Sequence, residues 1–171
     1  MDQMRYFLVP LAVLVSSAIL FAQGGGSIAA DTKQAYNGVK RNVMTAANKM
    51  PDENYSFKPT PEIRSFAQVI DHISDSQMRT CAAVLGEQKT ADAASKTSKA
   101  DVLAALKASF EECDKAYDSL SDTNANDTIK TPRGQRTRLG ALVALIVHSS
   151  EQFGIMTVYD RLKGIVPTGG E

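Results

Sequence analysis

The run "ALVALIVHSSEQFGIMTVYDRLKGIVP", residues 141 to 167, decides how the rest of the chain is read. It is long enough for a helix of several turns, and apolar residues occupy nearly every side of it. At 100° per residue, Leu145, His148, Gln152, Ile155 and Tyr159 share one face, while Leu139, Leu142, Val143, Ile146 and Phe153 share another. A helix with two apolar faces is expected at the centre of a helical assembly. His148 and Gln152, one turn apart, are the polar exceptions on the first of those faces. A buried imidazole and a buried carboxamide each need a partner or a ligand.

Working outward from this helix, three earlier segments show the same 3.6-residue period. Asp31 and Thr32 are suited to cap a first helix with the stripe Tyr36, Val39, Val43, Ala46, Ala47 and Met50, ended by Pro51. Ser65 with Gln68 three residues on forms a capping box for a second, striped by Phe66, Val69, Ile70, Ile73, Cys81 and Val84 and stopped by Gly86. Ser98 and Asp101 open a third, with Val102, Leu106, Phe110, Cys113, Tyr117 and Leu120 inward. The fourth begins around Thr137 and runs to about Leu162, with Gly164 and Pro167 beyond. No strand pattern is evident, so the expected fold is all-α, a four-helix bundle.

The connectors bear on topology. The second helix should be about 30 Å long, and the eleven residues of "EQKTADAASKT" reach roughly 36 Å when extended, so the chain can climb back beside it. Both a parallel and an antiparallel third helix are therefore allowed. Cys81 lies sixteen residues beyond its cap and Cys113 fifteen beyond its own. A bridge between them would require the two helices to be parallel.

The 171 residues suit one domain, and the charges balance at nineteen of each sign. A neutral chain has no electrostatic claim on nucleic acid or anionic lipid, and the basic cluster Lys130, Arg133, Arg136 and Arg138, with no aromatics interleaved, reads as a solvated loop and helix start. Nucleotide-loop, nucleophile-elbow and C-x-x-C motifs are missing from the sequence. Residues 1 to 29 have the layout of a secretory signal peptide. Arg5 precedes the apolar run "YFLVPLAVLVSSAILFA", and a small-residue zone follows, with cleavage expected after Ala22 or Ala29. The domain proper is then 31–171, exported to a periplasmic or extracellular space and without a stable membrane span after cleavage. Export to an oxidising compartment permits a disulfide between Cys81 and Cys113.

His72, on the flank of the second helix's stripe, is the only histidine besides His148. Two histidines from two helices can hold a divalent metal through neutral imidazoles, although spacing alone favours hydrogen-bonded core histidines. A resemblance adds to this. The blocks "MPDENYSFKPTPEIRSFAQVIDHISDSQ" and "RLGALVALIVHSSEQFGIMTVYDRLKGIVP" are similar to the DinB/YfiT-like superfamily, over about Ala35 to Pro167. The resemblance implies up-down-down-up connectivity and a site of three histidines: one on the second helix, at His72, and two on the fourth as H-x-x-x-H. The first of these is His148; the second position holds Gln152. An amide oxygen is a poorer ligand than imidazole for zinc or nickel, so the resemblance implies weakened metal binding. Glu151 is an alternative third ligand that would favour manganese or iron, and Asp75 stands in the same relation to His72.

The resemblance also implies an activity: some such proteins are metal-dependent transferases joining a low-molecular-weight thiol to an electrophile. For an exported chain a metal-assisted hydrolase is the other enzymatic expectation, with Glu151 as candidate general base. The non-catalytic expectation is a pocket for an unidentified small molecule or protein, with Gln152 and Tyr159 lining it, or a core network without metal. A homodimer is compatible with the resemblance.

Overall fold

The computed structural model describes residues 26–131 and 133–166. Four helices carry the fold: α1 Ile28–Lys49, α2 Phe66–Val84, α3 Lys99–Asp118 and α4 Arg138–Leu162. The capping box at Ser65 and Gln68 forms as its residues predict, and Ser98 caps α3. Thr137 caps α4 by accepting from the Gly140 N–H; a Cβ at 140 would stand 2.8 Å from the Thr137 hydroxyl, which explains the glycine.

Two local expectations are corrected. The cap of α1 is Ser27, not Asp31 or Thr32. The reason is long-range: Asp122, beyond α3, accepts from the Ala29 N–H at 2.9 Å and from the Ser27 hydroxyl at 3.0 Å. A distant carboxylate thus satisfies an otherwise orphaned donor and starts the helix a turn early. Ala29 lies in that first turn, whereas Ala22 and the rest of residues 1–25 of the expected leader lie outside the described residues. The second correction is a β-hairpin, β1 Thr128–Thr131 and β2 Gly134–Thr137, paired antiparallel from Thr128 opposite Thr137 to Thr131 opposite Gly134. Its strands are four residues each and polar, so no alternation signalled them.

Contacts fix the connectivity. Tyr36 of α1 donates to Asp114 of α3 and Lys33 pairs with Asp118, so residue numbers rise on one helix as they fall on the other: α1 and α3 are antiparallel. Between α2 and α3 the offset is constant instead, with Gln77 bonded to Ser109 and Cys81 bridged to Cys113, both thirty-two residues apart. Those helices are parallel. His72 meets His148 near the middle of α4, while Val84 takes a hydrogen bond from Arg138 at its start, so α2 and α4 are antiparallel. The bundle is up-down-down-up, and the disulfide ties the parallel pair, with Cα atoms 5.0 Å apart.

The core is built from the anticipated stripes, with Tyr117, Phe66, Phe110, Ile70, Ile73, Leu106 and Leu142 fully buried, and Tyr55, from the irregular segment before α2 and outside those stripes, is buried with them. Tyr36 stacks on Tyr117 with centroids 3.9 Å apart, joining α1 to α3. α4 is less enclosed than its composition suggests. It is long and apolar enough to cross a membrane by length and composition, yet one side packs into the bundle while Val147 and Val158 remain 52% and 54% exposed. Ile155, expected on the inner face, is also exposed.

Candidate functional site

Antiparallel packing of α2 and α4 brings the two histidines together. Their rings meet edge to face with centroids 4.8 Å apart. Nε2 of His148 is buried and has no hydrogen-bond partner, and the same holds for Oε1 of Gln152, one turn further along α4. An unpaired buried polar atom costs about 1–3 kcal/mol, so two of them next to one imidazole pair are a cost that a ligand would remove.

The electrostatics keep the rings neutral. Burial is the main cause lowering the pKa of His72, followed by the charges of Arg64, its neighbour His148, Arg79 and Arg133. Burial also dominates at His148, with Arg133 and Arg64 lowering further and Glu151 opposing them. Neutral imidazoles are what a metal requires. The surrounding guanidinium charge works against any cation.

The other expected residues separate. Glu151 is exposed to solvent, close enough for its charge to reach His148. Among the described residues, no group of three or more His, Cys, Asp or Glu side chains could hold a metal, so Glu151 does not complete a set with the two histidines. Asp75 turns to the α2–α3 connector, where its carboxylate takes a long bond from the Ala93 N–H at 3.4 Å. Tyr159 lies eleven residues past His148, roughly 16 Å along the axis at 1.5 Å per residue. Its hydroxyl donates to the Arg64 carbonyl and its ring packs edge-on against Phe57, so it braces the chain entering α2.

Arg79 carries no role in the sequence pattern, and Arg133 and Arg136 read there as solvated loop residues. Beside His148 lies a cavity of about 80 Å³, lined by Arg79 from α2, by Thr131, Arg133 and Arg136 from the hairpin, and by Ala144 from α4. Arg79 was legible, since it follows His72 by seven residues and so shares its face two turns along. Arg133 and Arg136 became neighbours of the site only through the hairpin, not as part of a solvated loop. Arg138, the fourth expected solvated cation, instead donates to the Val84 carbonyl at 2.9 Å and closes the end of α2.

Solved structures with this architecture include a DinB-like protein from Bacillus cereus. It has a TM-score of 0.70 and 19% identity, covering 85% of this chain and 98% of that one. A DinB-like protein from Bacillus subtilis has a TM-score of 0.65 and 16% identity, with coverage of 82% and 96%. A third, described as a putative member of the DinB family from Exiguobacterium sibiricum, has a TM-score of 0.62 and 17% identity, with coverage of 80% and 92%. At these identities the likeness shows the fold alone. No curated protein matches the sequence. The family model of the DinB superfamily matches residues 35–156, most of the chain and both histidines, and the chain belongs to that superfamily.

Proposed function

We propose that the chain is an exported ligand-binding bundle whose pocket holds a divalent cation weakly through His72, His148 and Gln152. The observation that carries this reading is the pair of buried, unpartnered atoms one turn apart on α4, His148 Nε2 and Gln152 Oε1, with the His148 ring against that of His72. The donor set fits a cation: two neutral imidazole nitrogens and one amide oxygen, with zinc, nickel, manganese and iron all acceptable to such ligands. Bound there, the ion would supply Lewis acidity to a ligand entering the cavity. The chain's own contribution is to hold the imidazoles neutral by burial and to surround the cavity with positive charge. That charge and the missing third imidazole both lower cation affinity. The reading is one of binding and assigns no reaction; Glu151, the candidate base, faces solvent.

Metal analysis of protein purified without chelator or affinity metal tests it. Wild type should retain a divalent ion that His148→Ala loses, and Gln152→His should raise affinity by about tenfold or more, some 1.4 kcal/mol. Failure of wild type to bind any of the four metals would overturn the metal reading.

For export, the reading is cleavage after Ala22 instead of Ala29. Ser27 and Ala29 are both bonded to Asp122, and a cut after Ala29 would remove the cap and open the first turn of α1. The mass of the protein recovered outside the cytoplasm decides. Loss of residues 1–22 supports the assignment, loss through Ala29 overturns the site, and an intact N-terminus overturns cleavage.

A further inference from the structure

Three arginines gather beside His148 without a carboxylate among them. Every ion pair among the described residues is made by a lysine: Lys33, Lys40, Lys89, Lys99, Lys107 or Lys115. Arg79, Arg133 and Arg136 pair with no described carboxylate, yet they converge on one cavity from two separate elements. Bringing like charges together is unfavourable unless something neutralises them. Guanidinium also differs from ammonium in kind: its planar fork matches the two oxygens of a carboxylate or phosphate.

We propose that this cavity is an oxyanion site, holding the carboxylate or phosphate group of a small molecule between Arg79 on α2 and Arg133 and Arg136 on the β-hairpin. Its size fits one such group. A water needs roughly 10–15 Å³ of cavity, so about 80 Å³ accommodates several waters or a single small oxyanion group. Its walls fit as well. Thr131 accepts from the Arg133 N–H at 3.2 Å and donates to the Gly134 carbonyl at 2.8 Å, which fixes the turn that carries Arg133. His148 also lines the cavity, so an anion held by the arginines lies beside one ring of the imidazole pair. The arginine charge that weakens cation binding at the histidines is then neutralised by the ligand itself. The inference rests on the pocket being a ligand site and is independent of whether it holds metal.

The test is calorimetric titration of metal-free protein with inorganic phosphate and, separately, with succinate. At least one should bind saturably with Kd on the order of 1 mM. Arg79→Ala and Arg133→Ala should each weaken binding by about tenfold, the loss of one charge-assisted contact. Lys130→Ala, a cation on the same hairpin outside the cavity, should leave it unchanged. The stronger of the two probes assigns the ligand class. Circular dichroism confirms that the variants fold, as expected for exposed arginines. Saturation by neither probe overturns the proposal. So does equal weakening by Lys130→Ala and Arg133→Ala, which would assign binding to diffuse surface charge of the kind a polyanion reads. Metal uptake measured on the same samples separates the two readings: uptake without phosphate or succinate binding removes the oxyanion site alone, and the converse removes the metal alone.

Discussion

Two polar clusters lie within this bundle, and both draw on α4. In one, Gln77 of α2 is almost fully buried between Ser109 of α3, with Oγ 2.8 Å from its Oε1, and Ser149 of α4, with Oγ 3.4 Å from its Nε2. In the other, a single residue away on α4, His148 and Gln152 present atoms with no partner. The helix is the same, and Gln152 is buried as Gln77 is; what differs is whether the neighbours complete the hydrogen bonds. A completed cluster ties three helices together and offers a ligand nothing. An uncompleted one is a cost to the fold and an opening for chemistry. The first is therefore architectural, and the second is the one on which the proposed ligand binding rests.

The largest effects should fall on the completed side. The disulfide one turn beyond Gln77 closes a loop of thirty-two residues between the parallel helices. Replacing both Cys81 and Cys113 by Ala should cost roughly 4 kcal/mol by loop-closure entropy, read as a lower denaturant midpoint at an unchanged slope. Gln77→Met, which keeps the volume, comes next. It leaves the buried Ser149 hydroxyl without its partner, while Ser109 keeps its bond to the Leu106 carbonyl, and should cost about 1–2 kcal/mol in the same measurement. A neutral result would mean the Gln77 cluster is no more structural than the histidine pocket, and the contrast would fail.

How much of this was readable in advance depended on whether the cause was local. Ser65 and Gln68 announced the start of α2 because both halves of a capping box lie within one turn. The start of α1 was misplaced because its decisive partner, Asp122, comes from the far end of α3. Tyr159 shared a helical face with His148, but a shared face does not fix height, and three turns separate them. Pairing His72 with His148 required the antiparallel packing of α2 and α4, which the family resemblance supplied and neither helix's own pattern contains. Arg133 and Arg136 were read as loop residues because four-residue polar strands leave no periodic trace; their convergence with Arg79 is a property of the tertiary structure.

Asp160 supplies an intermediate effect with a distinct pH signature. It is fully buried on α4, both carboxylate oxygens lack partners, and burial raises its pKa to about 6 against a partial opposing pull from Lys49. The folded state therefore holds a proton that the unfolded chain has released, between the ordinary value of 3.8 and about 6. Its contribution to stability falls as pH rises through that window and stays low above it. Asp160→Asn should be nearly neutral at pH about 4 and stabilising by about 2 kcal/mol at pH about 8, below the ~3 kcal/mol that a two-unit shift represents. Equal stabilisation at both pH values would mean that proton linkage is not the cause.

The smallest effect is the one that separates the clusters most cleanly, because it repeats the Gln77 substitution at the other site. Gln152 is 8% exposed, and its unpartnered oxygen weakens the fold. Gln152→Met keeps the volume and removes that oxygen, so in metal-free protein it should stabilise by up to about 1 kcal/mol. With divalent metal present the sign should reverse, since binding to the folded state stabilises wild type and the variant lacks the oxygen ligand. The same exchange at Gln77 should be destabilising in both conditions, because metal does not reach it. A Gln152→Met variant destabilised without metal would place an unrecognised hydrogen bond on Oε1, move Gln152 into the structural class, and leave His148 as the only uncompleted atom of the pocket.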